Sequence, residues 1–179
     1  LDMVIDTFTT VEGERHQIHE ELKLNGSDVY MLMDVDGEEI KIWNVGGVLY
    51  VDGQGEKVRA DIDIEEYTGT SINDMLTSYL PEQLPDIYLG KLNSSQIRSA
   101  GDGTYYFSVN FTAEEAVSMQ GEYMGFSETY YCNSAGTIIR IVSSYNDGSS
   151  LKIVFNSYGK YVTVNPPENA SEFVEKELE

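Results

Sequence analysis

Short runs of alternating apolar and polar residues, separated by glycine-containing turn dipeptides, constrain this chain more than any other feature of its sequence. Asn25-Gly26, Asp36-Gly37 and Asp147-Gly148 are typical of tight hairpin turns, because Asn, Asp and Gly accept the positive φ angles that such turns require. The alternation between the turns is typical of strands that bury one face. It is clearest at residues 29–35, 40–42, 58–62, 105–111 and 151–155. It predicts an antiparallel sheet of about nine to eleven strands, with no room for the crossovers that parallel strands need.

Helical periodicity interrupts the strands at two places. In residues 71–80, Ser71 has the character of an N-cap, and apolar side chains then fall at helical spacing until Pro81. Thr112-Ala113-Glu114-Glu115 spells a capping box, and a short second helix follows it. We also expect residues 1–8 to be the end of a helix and residues 174–178 to be a C-terminal turn. The predicted fold class is α+β, mainly antiparallel β, in a single domain spanning residues 1–179.

The charge of the chain excludes several classes of partner. Its 11 Lys and Arg face 31 Asp and Glu, for a net charge of −20. Such a chain cannot neutralise a run of phosphates, so nucleic acid and anionic membrane surfaces are excluded as partners. Self-repulsion at this charge predicts a monomer near neutral pH. No apolar stretch approaches the length of a membrane-spanning helix, and a single cysteine, Cys132, excludes an internal disulfide.

No catalytic, metal-binding or cofactor-binding motif stands out. Residues 34–39 carry carboxylates around Gly37, but the twelfth position of a calcium loop starting at Asp34 would be Val45 instead of Glu, and a hairpin explains the same residues. Asp61, Asp63, Glu65 and Glu66 are interpreted as a solvated acidic face. His16 and His19 are three residues apart on a predicted strand, hence on opposite faces, and Cys132 is interpreted as a structural thiol.

Glu20 is the most unusual acid in the sequence. It shares a predicted strand face with Ile18, Leu22 and Leu24, so it points toward the apolar side. Its carboxyl then has either a raised pKa or an ion pair with Arg98 or Arg140, unless a bulge or an edge position turns it to solvent.

The order of elements resembles the LolA/LolB-like superfamily of bacterial lipoproteins and lipoprotein carriers, which includes mycobacterial lipid-binding lipoproteins and uncharacterised Gram-positive relatives. The resemblance covers nearly the whole chain. It is carried by Gly46-Gly47-Val48-Leu49-Tyr50-Val51, by the helical stretch 71–80, by the helix start Phe111-Thr112-Ala113-Glu114-Glu115-Ala116, and by the closing segment 155–170 with its Val162-Thr163-Val164-Asn165-Pro166-Pro167 phrase.

This resemblance implies a curved half-barrel sheet with short helices packed across its concave face, and space between them for an acyl chain or other apolar ligand. It also implies a protein without enzymatic activity or cofactor, exported and often anchored through a lipidated N-terminal cysteine. Because the chain begins at Leu1, we expect that a removed segment held a signal peptide or lipid anchor.

The candidate ligand-binding residues are apolar side chains on the predicted concave face. They are Met31, Met33, Ile40, Ile42, Ile72, Met75, Leu76, Tyr79 and Phe107. Unbranched methionines suit a pocket that adapts to flexible ligands. A dry, filled core has the same periodicity, so the pattern alone leaves both readings open.

An alternative function is a structural or protein-interaction module of the cell envelope. Tyrosines are concentrated in the second half of the chain, and an exposed row of them could bind a partner protein. These tyrosines are Tyr105, Tyr106, Tyr123, Tyr130, Tyr131, Tyr145, Tyr158 and Tyr161. Cross-strand aromatic pairs that only stabilise the sheet have the same composition.

Overall fold

The computed structural model describes residues 1–11, 13–62, 69, 91, 97–120, 124–157 and 162–176, and the statements about structure below refer to these. Their strands join one sheet in the order β12-β6-β5-β4-β3-β2-β1-β11-β10-β9-β8-β7. The strands are β1 Asp2–Val11, β2 Glu14–Asn25, β3 Asp28–Val35, β4 Glu38–Val45, β5 Val48–Gly53, β6 Glu56–Ala60, β7 Arg98–Gly101, β8 Thr104–Phe111, β9 Phe126–Cys132, β10 Ile138–Tyr145, β11 Ser150–Ser157 and β12 Val174–Glu175. The helix α1 spans Ala113–Gln120, and a 3-10 turn spans Ala170–Glu172. The prediction of a mainly antiparallel β protein is confirmed.

Residue contacts divide the chain into two compact units. Unit 1 comprises Leu1–Val4, Ile18–Glu82 and Asn156–Glu179, and unit 2 comprises Ile5–Gln17 and Gln83–Phe155. The assignment of residues 1–179 to a single domain stays a prediction. Within the described residues, no helix has the length and apolarity that crossing a bilayer requires.

Tight hairpins set the register of unit 1. At the turn between β3 and β4, Asp36 and Gly37 have φ angles of 54° and 94°, and the Gly37 amide donates a 2.7 Å hydrogen bond to Asp34 Oδ1. The interpretation of residues 34–39 as a hairpin is therefore confirmed. On one side of the sheet, the register places the even-numbered residues of β2 (from Ile18), β4 and β6. The odd-numbered residues of β3 and β5 lie on the same side. We call this side the Met31 face and the opposite side the Trp43 face.

The C-terminal segment packs on the Trp43 face. Phe173, 7% exposed, meets the rings of Trp43 and Tyr50 edge-on, with centroids 6.2 Å and 5.4 Å away. Beside it, Lys57 Nζ lies 2.5 Å from Glu172 Oε2. Strand β12 then pairs in parallel with β6, and the Lys176 amide donates to the Arg59 carbonyl. Residues separated by more than 110 positions in sequence thus attach the end of the chain to the sheet.

Unit 2 has its core beside the helix. Val109, Phe111, Ala116 and Phe126 are 0–4% exposed and form one cluster. The predicted capping box is present at the start of α1: the Glu115 amide donates to Thr112 Oγ1, and the Thr112 amide donates to the Glu115 carboxylate. The odd-numbered residues of β8 and β11 lie on the same side as the even-numbered residues of β9. We call this side the Phe107 face. The opposite side is the Tyr106 face.

Two predictions about the chain ends are wrong. Residues 2–8 are the beginning of strand β1, and just before it Leu1 exchanges backbone hydrogen bonds of 2.8 Å and 3.0 Å with Leu24 of β2. Val174–Glu175 is a strand, which also makes one parallel pair in a sheet expected to have none. With these additions the described residues hold twelve strands, where nine to eleven were predicted.

The central helix predicted over residues 71–80 lies outside the described residues, as do Asp63, Glu65 and Glu66. The curvature of the sheet and the packing of helices across its concave side stay predictions.

Candidate functional site

Apolar side chains form a continuous row across the five strands of the Met31 face. Met31 lies between Leu22 on β2 and Ile42 on β4, and the row continues through Val51 to Val58. We call these five residues the Met31 row. Directly opposed side chains on one face of a sheet are close enough to interact, so the row is an unbroken apolar stripe.

Burial decreases along the Met31 face. Leu24, Val29, Leu49 and Ala60, next to the Met31 row on one side, are between 4% and 6% exposed. On the other side Met33 is directly opposite Ile40, and both are half-buried, as are Met31 and Ile42. Half-exposed apolar side chains, two of them flexible methionines, are a surface that a ligand can cover.

An open groove adjoins the half-buried end of this face. Its volume is about 540 Å³, which is in the size range of small-molecule sites. It is lined by Met33, Val35, Glu38, Glu39, Ile40 and Gln54. The groove combines an apolar floor with two carboxylates, and Lys41 pairs with the second of these at 2.6 Å.

The structure brings four of the nine predicted ligand-binding residues together. Met31 and Met33 on β3 pair with Ile42 and Ile40 on β4 in two adjacent rows. Phe107 lies in unit 2, on the face that bears its name. Ile72, Met75, Leu76 and Tyr79 lie outside the described residues. The complete set therefore stays a prediction.

Glu20 is a carboxylate on the Met31 face. It is directly opposite Met33, and Ile18 and Leu22 flank it on the same face of β2. Burial raises the pKa of the Glu20 carboxyl, and the neighbouring His19 lowers it by a smaller amount. Of the alternatives for this residue, the position on the apolar side with a raised pKa is confirmed. The guanidinium of Arg140, one of its two proposed partners, lies 3.6 Å from the centre of the Tyr131 ring.

The substitution Glu20→Gln is expected to stabilise the protein at pH 7, by at most about 0.5 kcal/mol because solvent screens this half-exposed carboxyl, and to have little effect at pH 4. Because the folded-state pKa lies above the ordinary value of 4.5, the folded chain binds the Glu20 proton more tightly than the unfolded chain does. The stability due to the protonated form is present below pH 4.5 and is lost as the pH rises through the folded pKa. Urea unfolding at both pH values measures the difference. If Glu20→Gln stabilised the protein no more at pH 7 than at pH 4, the raised pKa of the Glu20 carboxyl would be contradicted.

The Tyr106 face carries a stack of aromatic and guanidinium groups. The rings of Tyr106 and Tyr131 are stacked at 5.7 Å, and Arg140 covers the other side of Tyr131. Arg98 on β7 is directly opposite Tyr106, so four neighbouring strands carry the row Arg98–Tyr106–Tyr131–Arg140. Ser108 and Thr129 share a 2.8 Å hydrogen bond beside it. We call the four residues the Arg–Tyr row.

The other described tyrosines of unit 2 lie on the Phe107 face. Phe107 and Tyr130 stack at 5.1 Å, and Tyr145 contacts Phe126. Tyr130 also donates a hydrogen bond to Glu128, which accepts a second one from Ser143. The prediction of cross-strand aromatic pairs is therefore confirmed for these residues, whereas Tyr123, Tyr158 and Tyr161 lie outside the described residues.

The histidines and the cysteine have local contacts. His19 Nε2 lies 3.7 Å from Glu21 Oε1. The placement of His16 and His19 on opposite faces stays a prediction, because the pairing of β2 with β3 begins only at Ile18. Cys132 is a half-buried free thiol whose pKa is raised by burial. In the described part of the chain, no three His, Cys, Asp or Glu side chains are grouped closely enough to hold a metal ion.

One feature of the site was missed although the sequence carries a signal for it. The two-residue turn Asp36-Gly37 pairs Val35 with Glu38, which places Glu38 on the Met31 face. The Arg–Tyr row was also missed, and it has no local signal, because its four residues lie on four strands and meet only through the pairing of β7 to β10.

Comparisons with known proteins define the class of fold. No protein-family model and no curated protein matches the chain. Among solved structures, the chain has a fold similar to that of the mycobacterial protein LprF, and the resemblance predicted from the sequence is confirmed at the level of the fold.

Two mycobacterial proteins are among the structures that the chain resembles. LprF from Mycobacterium bovis matches with a TM-score of 0.51 and 15% identity, over 93% of this chain and 88% of that chain. The lipoprotein LppX from Mycobacterium tuberculosis matches with a TM-score of 0.48 and 12% identity, over 92% of this chain and 88% of that chain. At these identities the likeness shows the fold alone.

Proposed function

We propose that the chain is a non-enzymatic, extracytoplasmic binding protein of the bacterial envelope that holds a lipid or another apolar ligand on its Met31 face. The observation that carries the proposal is the Met31 row, five apolar side chains aligned across five strands with half-buried methionines beside a groove. The fold shared with LprF supports it.

Burial of an apolar chain supplies the binding energy in this proposal. Each methylene removed from water contributes about 0.8 kcal/mol, so a ten-carbon stretch contributes roughly 8 kcal/mol before the costs of ordering. No covalent chemistry is involved. The ligand is bound and released, and the affinity depends on the apolar area that the Met31 face covers.

Native mass spectrometry and lipid extraction of the protein purified from cells test the proposal directly, together with uptake of a neutral hydrophobic dye. Met33→Gln, which keeps the length of the side chain but makes it polar, is expected to weaken dye binding by about five- to tenfold. Ile97→Gln is the matched control, because Ile97 is 72% exposed and lies in unit 2. A protein that carries no lipid and takes up no dye would rule the proposal out.

A second candidate function is recognition of an envelope protein through the Arg–Tyr row. The stacked rings and flanking guanidiniums are the observation that favours it, since Tyr and Arg are enriched where protein interfaces bury their anchors. Pull-down from envelope extracts with Tyr106→Ala and Tyr131→Ala measures it. Tyr105→Ala is the control, because Tyr105 is 44% exposed on the opposite face of the same strand. Partner capture that survives both substitutions, or that Tyr105→Ala also abolishes, would refute this function.

A further inference from the structure

We propose that the Met31 face binds an amphiphile whose polar end is a cation, with the positive charge beside Glu20 and Glu38 and the apolar chain along the Met31 row. The inference rests on the proposed function and adds the sign of the head-group charge to it.

The charged side chains that the strands of unit 1 place on this face are all carboxylates. They are Glu20 on β2, Glu38 on β4 and Glu56 on β6, and no Lys, Arg or His occupies a described position of β2 (from Ile18) to β6 on this face. Glu56 has its own cation, because Lys176 Nζ lies 2.7 Å from its Oε2. Glu20 and Glu38 form no ion pair with any described residue. Two carboxylates therefore remain for a ligand.

Both carboxylates border the apolar surface that a ligand chain would cover. Glu20 is directly opposite Met33, which lines the groove, and Glu38 lines the same groove beside Val35. Met33 and Val35 lie on β3, the strand between Glu20 and Glu38, so a chain that extends from the Met31 row over these two residues would place its polar end between the two carboxylates.

The physical consequence concerns anionic lipids. A carboxylate at the edge of an apolar surface is less screened than one in water, so it attracts an ammonium group and repels a carboxylate or phosphate more strongly. A fatty acid or phosphate-bearing lipid would bring its negative charge next to Glu20 and Glu38, and the nearest described cation, Lys41, pairs with Glu39 on the opposite face. The face therefore selects against such ligands.

Three amphiphiles with the same chain test the inference: dodecylammonium, dodecanol and dodecanoate, titrated below their micelle concentrations at pH 7 and physiological ionic strength. Calorimetry or displacement of a neutral dye gives the affinities. We expect dodecylammonium to bind about tenfold more tightly than dodecanoate. Glu20→Gln should weaken dodecylammonium binding about threefold to fivefold, and adding Glu38→Gln should remove the preference.

The control is Glu21→Gln, which removes the same formal charge from the Trp43 face of the same strand. It separates a local effect of Glu20 from the general attraction of a chain with net charge −20 for any cation. The inference would be overturned if Glu20→Gln and Glu21→Gln weakened dodecylammonium binding equally, or if dodecanoate bound as tightly as dodecylammonium. In either case, binding of dodecanol would still uphold the proposed function. Failure of all three amphiphiles to bind would refute the proposed function itself.

Discussion

Replacing Phe173 by alanine is expected to lower the free energy of unfolding by about 3 kcal/mol, the cost of removing a buried aromatic side chain. The Phe173 ring meets Trp43 and Tyr50 edge-on and is 7% exposed, and Lys57 Nζ lies 5.9 Å from its centre. Such aromatic contacts add roughly 0.5–1.5 kcal/mol per pair beyond the area they bury. The residue attaches the C-terminal segment to the Trp43 face, so its loss also frees the ends of that segment.

Urea denaturation measures this effect, and two variants calibrate it. Val174→Ala alters the next residue, which is 63% exposed, and should change stability by less than about 0.5 kcal/mol. Phe173→Leu keeps an apolar side chain without the ring and should recover roughly half of the loss, the part that apolar burial supplies. A Phe173→Ala protein within about 1 kcal/mol of the wild type would show that the segment contributes little.

Gly125→Ala is expected to destabilise the protein by about 2–3 kcal/mol, because the new methyl group has no space. A Cβ at this position would lie 2.7 Å from the Phe111 carbonyl oxygen, 3.0 Å from Asn146 Nδ2 and 3.2 Å from the Ala113 nitrogen. Two of these atoms belong to the backbone at the junction of β8 and α1. Relief of the contact would therefore displace the start of the helix and its capping box.

Gly53→Ala is the matched control for this substitution. The atoms nearest to a Cβ at Gly53 belong to the side chain of Ile40, at 3.1–3.4 Å, and that side chain can move. We expect a loss below about 1 kcal/mol at Gly53, and a melting temperature lower by roughly 4–12 °C at Gly125. If alanine lowered the stability equally at the two glycines, the close approach of backbone atoms to Gly125 would not be the cause of the loss.

Much of the strand pattern was predictable because it is local. The turn at Asp36-Gly37, the alternation around Met31 and Ile42, and the capping box of Thr112 each depend on residues within a few positions of one another. Strand β1 carried a weaker signal of the same kind: Met3 and Ile5 fall at alternate positions between Asp2 and Asp6, although the apolar Val4 separates them, and β-branched residues are frequent there. It was predicted as a helix because a few apolar residues at the start of a chain fit both periodicities.

The candidate site was predictable only in part. The pattern placed Met31, Met33, Ile40 and Ile42 on one face, and the register confirms that they are neighbours. Whether Glu20 would find a cation was not predictable, because the charges that surround a carboxyl come from strands elsewhere in the sequence. The same holds for Tyr131, whose ring is covered by an arginine of the next strand.

The sequence by itself determined which residues share a side of each strand, because side chains alternate at every residue regardless of what packs on them. Only the tertiary structure decided which side the C-terminal segment would cover. Phe173 could pack on any exposed aromatic group, and the choice of Trp43 and Tyr50 depends on the parallel pairing of β12 with β6 and on the Lys57–Glu172 ion pair. These contacts join residues more than 100 positions apart, and no local pattern records them.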